Sequence, residues 1–177
     1  MKLMKYTIFI LLMLMVTSAF AQSDFDKSVD SENGSIVFKG QLTLEDLKKE
    51  STFDWLNSPS NKYAPDSTDM KFLRKHLPNY KAVSFLGTWC EDSHTLFPKL
   101  VKILDLVSFP ASSHTIFGVD RSKKTKYVES QLYRIEFVPT IILYKGFTEI
   151  GRIVEAPEKS LEKDLVRIIQ SHIDSGQ

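Results

Sequence analysis

Val83-Ser-Phe-Leu-Gly-Thr-Trp-Cys-Glu-Asp-Ser-His-Thr-Leu-Phe-Pro98 is the stretch on which the reading of this chain turns. With Ala82 it opens on a compact apolar run that ends at Leu86, the pattern of a short buried strand. Gly87-Thr88-Trp89-Cys90 breaks that run. Beyond it, Leu96, Leu100, Ile103, Leu104 and Val107 recur at helical spacing and mark one face of a long helix. Cys90 therefore falls where a strand turns into a helix. A helix N-terminus offers unpaired N–H groups and the positive end of the dipole, and both favour thiolate over thiol. Ser93 lies on the same side of the first turn, placed to donate a hydrogen bond to the sulfur. Pro98 sits inside the helix, where it kinks the backbone or forgoes a hydrogen bond.

Downstream, Thr115 to Val119 reads as a strand, and Tyr127, Val128 and Leu132 suggest a helix. Thr140 to Tyr144 reads as a buried strand, Lys145-Gly146 as a turn and Ile150 to Val154 as the returning arm of a hairpin. Ser160 caps a last helix that turns Leu161, Leu165, Ile168 and Ile169 inward. Upstream, Ser35 to Phe38 is a short strand. Thr43 caps a helix over Leu44 to Glu50, with Asp46 near its positive end. A loop rich in Ser, Pro and Asn runs from Asn57 to Pro65. Ser67 starts a helix with Met70, Leu73 and Leu77 on one face, and Pro78-Asn79 ends it. Strands separated by helices are expected to run parallel with right-handed crossovers, and the hairpin antiparallel. The predicted class is α/β, a three-layer sandwich with a central mixed β-sheet flanked by helices.

Lys2 and Lys5 precede an apolar run from Ile8 to Val16, and Ala19-Phe20-Ala21 gives the small-x-small pattern of a cleavage site. Residues 1–21 are thus expected to be a signal peptide; an uncleaved anchor is the alternative, on an apolar run short for a bilayer. Residues 22–34 are polar and read as a flexible leader, leaving 35–177 as one folded domain. The chain has 23 basic and 22 acidic residues; without Lys2 and Lys5 the basic count is 21. So balanced a charge gives no pull toward nucleic acid or anionic membrane. The run Arg121-Ser-Lys-Lys-Thr-Lys126 reads as a solvated helix start. Cys90 is the only cysteine, so no internal disulfide can form, and its thiol is either a buried apolar residue or a reactive group. Cys90 and His94 alone do not make a metal site, and no cofactor or metal is implied.

With these residues in view, the segment Val83–Pro98 resembles the active-site strand, turn and helix of the thioredoxin family. Trp89-Cys90 matches the family's Trp-Cys pair, and Pro98 its helix-kinking proline. Val138-Pro139-Thr140, followed by Ile141-Ile-Leu-Tyr-Lys-Gly146, matches the Pro-Thr turn and strand opposite the active site. The resemblance runs from about Ala82 to Ile169. It implies a thioredoxin-like fold, a cis peptide before Pro139, and a groove in which Trp89, Val138, Pro139 and Thr140 receive an extended substrate.

Departures from the family pattern shape the chemistry. The second cysteine of Cys-x-x-Cys is Ser93. The intervening Gly-Pro is Glu91-Asp92, whose carboxylates oppose thiolate formation. The strand position of the family's buried acid is Ser84. What this leaves is one-thiol chemistry at a Cys-x-x-Ser site, with Cys90 and Ser93 as the catalytic pair. Cys90 would form a mixed disulfide that an external thiol must resolve. The expected partners are disulfide-bearing client proteins or small thiols, with no nucleic acid and no stable membrane insertion after cleavage. The expected setting is exported, periplasmic or secreted, and bacterial. The alternative is a non-catalytic module binding extended peptides or client proteins.

Overall fold

The structure is a computed structural model and describes residues 24–57 and 62–176. The expected signal peptide, 1–21, lies outside them. Among the described residues, six strands form one sheet: β1 (Phe25–Val29), β2 (Ile36–Leu42), β3 (Lys81–Leu86), β4 (His114–Gly118), β5 (Thr140–Lys145) and β6 (Thr148–Val154), in spatial order β1-β2-β4-β3-β5-β6. The helices are α1 (Leu44–Lys49), α2 (Ser67–His76), α3 (Glu91–Leu106), α4 (Glu129–Leu132) and α5 (Leu161–Asp174). The result is the mixed α/β architecture expected, a mixed sheet flanked by helices.

Local chemistry accounts for the helix starts. Thr43 and Asp46 form a capping box at α1, each bonded to the other's backbone N–H. Asp66 caps α2 by accepting from Thr68 and Asp69 N–H, and Ser160 caps α5 by accepting from Lys163 N–H. Alternation along the strands sorts the cores. Ala82 and Leu86 of β3, with Ile141 and Leu143 of β5, face a large core built with α1, α2, α3 and α5. Val83, Phe85 and Ile142 face a smaller one with Phe117, Val119 and Val138. At about 25 cal/mol per Å² of apolar surface, a fully buried Phe85 or Leu100 contributes roughly 2 kcal/mol.

Three expectations are corrected. The stretch 22–34 is not a leader throughout: residues 25–29 form β1, an antiparallel edge partner of β2 with Phe25 opposite Gly40. Its burial pattern explains why the alternation is faint: only Phe25 turns inward, its ring tilted against Phe38 with centroids 4.5 Å apart. Second, only β3 and β4 run parallel; β2–β4 and β3–β5 are antiparallel. The two helices expected between β2 and β3, α1 and α2, are both present. The single turn of α4 is too short to carry the chain back along the sheet between β4 and β5, so β5 descends from the end where β4 finishes. Third, Tyr127, Val128 and Leu132 do not form an inward helix face. α4 is one turn, and all three side chains are exposed. The smaller core is closed instead by Tyr133 and Ile135 of the same connection.

Candidate functional site

The corner between β3 and α3 is fixed by its own short-range bonds. Cys90 N–H donates to Gly87 O at 2.9 Å. The buried Thr88 hydroxyl donates to Ile36 O at 2.8 Å and accepts from Phe38 N–H at 3.0 Å, tying the corner to β2. Trp89 Nε1–H donates to Val119 O at 2.9 Å, which lays the indole back over Gly87. A Cβ on Gly87 would stand 2.7 Å from Trp89 Cε2, so only glycine admits the ring there.

Cys90 is the N-cap of α3, half-buried, with extended backbone and no cap hydrogen bond from its own side chain. Its sulfur points across to the β4–β5 connection, where the thiol donates to Val138 O at 3.5 Å. The Val138–Pro139 peptide is cis. Two of the residues singled out in sequence thus meet, Cys90 and Val138, with Trp89 beside them. The others are turned to structural use. Pro139 O accepts from Glu155 N–H at 2.7 Å, and the buried Thr140 hydroxyl donates to Phe137 O at 2.8 Å. Neither side chain presents a polar group to the space above the sulfur.

Ser93 departs from its expected role. It is fully buried, and its hydroxyl accepts from Gly87 N–H at 3.1 Å rather than attending the sulfur. The first turn of α3 folds back on the corner, and the corner's unpaired amide claims the hydroxyl. His94 is engaged too. Its Nε2 donates to Thr88 O at 2.8 Å while its ring stacks on Trp55, centroids 4.5 Å apart. A carbonyl only accepts, so Nε2 carries a proton. Among the described residues no group of three or more His, Cys, Asp and Glu side chains could hold a metal ion.

One part of the surroundings escaped the sequence reading. Arg121 lies over the Trp89 ring, its Cζ 4.6 Å from the centroid, with Lys123 Nζ at 5.8 Å from the same ring. Arg121 Nε donates to the buried Asp30 at 2.6 Å, and Nη1 pairs with Glu32 at 3.1 Å. The Arg121 hydrogen bond holds the Asp30 carboxyl below its usual range, against desolvation and with help from the Glu32 and Asn33 amides. Asp30 in turn raises Arg121, and the Cys90 sulfur adds a smaller contribution. The basic run is therefore not a solvated helix start. A tight turn, with Asp120 accepting from Lys123 and Lys124 amides, throws alternate cations onto the indole. The alternation of Arg121 and Lys123, starting three residues after β4, was the available signal.

No family model matches the chain, and no curated protein matches it. Among solved structures, it is similar in fold to a protein of unknown function from Pseudomonas aeruginosa. The TM-score is 0.54 and the identity 15%, over 75% of this chain and 93% of that one. It is also similar to an HIV epitope-scaffold, with TM-score 0.51 and 14% identity, over 74% and 93% of the two chains. These likenesses concern the fold alone.

Proposed function

We propose that the chain is an exported thioredoxin-like protein that takes part in thiol–disulfide exchange through Cys90 as a lone nucleophile. The observation that carries this reading is the placing of the Cys90 sulfur. It sits at the head of α3, half-exposed, 3.5 Å from the Val138 carbonyl of the facing connection. A thiol there is open to a substrate disulfide, and extended substrate can lie along the adjoining backbone. In the reaction the thiolate attacks one sulfur of a disulfide and forms the Cys90–substrate bond. The other sulfur leaves with the electron pair. Ser93 cannot resolve this adduct, so a small thiol completes the cycle. In this reading the six-stranded sheet with α3 and the Val138–Pro139 turn is a thioredoxin-like domain, and residues 1–21 direct export to a periplasm or beyond.

A second reading is a thioredoxin-like module that holds client peptides without turnover. It is favoured by the Ser93 hydroxyl being committed to Gly87 N–H. Turnover of a peptide disulfide with glutathione separates the two. Exchange by the wild-type protein that Cys90→Ala lacks supports the enzyme; equal rates from both proteins leave only the binding module.

A further inference from the structure

Arg121 is held from two sides by carboxylates of unlike standing. The Asp30 side chain is 2% exposed and bonds Nε at 2.6 Å; it also accepts from the Glu32 and Asn33 amides, so it is built into the turn that ends β1. The Glu32 side chain is 67% exposed and meets Nη1 at 3.1 Å, its one side-chain tie among the described residues. An exposed ion pair of that kind is weak and readily exchanged. Asp30 is thus the fixture that sets the guanidinium over Trp89, while Glu32 occupies a place that another carboxylate can take. Lys123, over the same ring, has no carboxylate partner among the described residues. Trp89 adjoins Cys90 in the chain and both pack against the smaller core, which brings this cationic ledge into the neighbourhood of the thiol.

Resting on the exchange reading above, we propose that Arg121, assisted by Lys123, selects substrates that carry a carboxylate beside the reacting disulfide, the carboxylate displacing Glu32. The incoming group makes a charge-assisted, fork-like hydrogen bond to the guanidinium. The exposed carboxylates of Glu91 and Asp92 in the first turn of α3 disfavour an anion on the helix side of the sulfur. An acidic substrate is therefore admitted with its carboxylate toward Trp89. The chemistry of the step is unchanged: Cys90 sulfur joins one substrate sulfur, and the other departs as thiolate.

The test compares the rate of Cys90 with dithiobis(nitrobenzoate), whose carboxylates flank its disulfide, against its rate with uncharged dithiodipyridine. The readout is the ratio of the two rates, at low and at high salt. Arg121→Gln is expected to lower that ratio about tenfold, the loss of one charge-assisted contact, with partial recovery in Arg121→Lys. Glu32→Gln, which removes the competitor, is expected to raise it. Should Arg121→Gln fail to fold, Glu32→Gln and Lys123→Gln carry the test, with opposite signs. High salt is expected to bring the wild-type ratio down toward that of Arg121→Gln; a ratio that both charge removals leave within about twofold, or that high salt leaves unchanged, overturns the proposal. If wild-type Cys90 reacts with neither reagent, the exchange reading itself falls, a different result from reaction without charge preference.

Discussion

Ser93 Oγ accepts a hydrogen bond from Gly87 N–H at 3.1 Å, closing the corner of the site from inside. The hydroxyl is fully buried. Ser93→Ala then strands a buried donor, a loss of about 1–3 kcal/mol. The expected outcome is a lower urea midpoint with little change in the rate at which iodoacetamide alkylates Cys90. A large fall in alkylation with unchanged stability would restore Ser93 to the sulfur.

Gly87 makes room for Trp89. A Cβ there meets the indole at 2.7 Å, and the ring is held by Val119 O on one edge. Gly87→Ala must push the ring away or strain the corner, at about 1–3 kcal/mol. Because Trp89 and Cys90 pack against the same small core, displacing the ring is expected to loosen the packing beside the thiol. Denaturation curves should show the loss, and Cys90 alkylation should speed up by a few fold. A variant as stable as wild type would show that the corner yields freely.

How much of this was legible beforehand follows from where each signal resides. Leu96, Leu100, Ile103 and Leu104 repeat at helical spacing because one face of α3 meets the core, so the helix and the position of Cys90 at its head could be read directly. Val138 against Cys90 was readable only through resemblance, since 48 residues separate them and no local pattern joins them. β1 was missed because an edge strand with one inward side chain, Phe25, carries no alternation worth reading. Arg121 was missed for a related reason. Its partners Asp30 and Trp89 come from other elements, and a cation run looks the same whether solvated or clamped. Ser93 was misassigned because spacing gives the side of a helix but not which nearby donor a hydroxyl serves.

Asp30 links the edge strand to the site. Its carboxylate holds Arg121, and β1 ends at the turn it organises. Asp30→Ala should free that turn, so that a protease clips near residues 30–34 faster than in wild type, while Arg121 loses its seat on Trp89. Trp89 fluorescence, read in a Trp55→Phe background, should then shift. Unchanged cleavage and emission would mean that β1 is held by its ladder to β2 alone.

His114 gives the fold a pH dependence whose sign can be worked out. It opens β4, its Nε2 lies 2.9 Å from the buried Ser84 hydroxyl, and burial lowers it from 6.5 to about 4. Folded, the ring stays neutral until the pH nears about 4; unfolded, it takes a proton below 6.5. Between those values the unfolded chain binds more protons, so stability rises with pH and is lost as pH falls. The span corresponds to about 3 kcal/mol at its full extent. Asp30, Glu50, Asp66, Asp120 and Glu162, all held below their usual carboxyl values, add acid lability mainly at and below their ordinary values, the higher of which is 4.5. Urea unfolding at about pH 7 and about pH 5 therefore reads mainly the histidine. Wild type should weaken across that interval, and His114→Gln, which keeps a hydrogen-bonding end without a titrating ring, should weaken distinctly less. Equal losses in the two proteins would place the titrating group elsewhere.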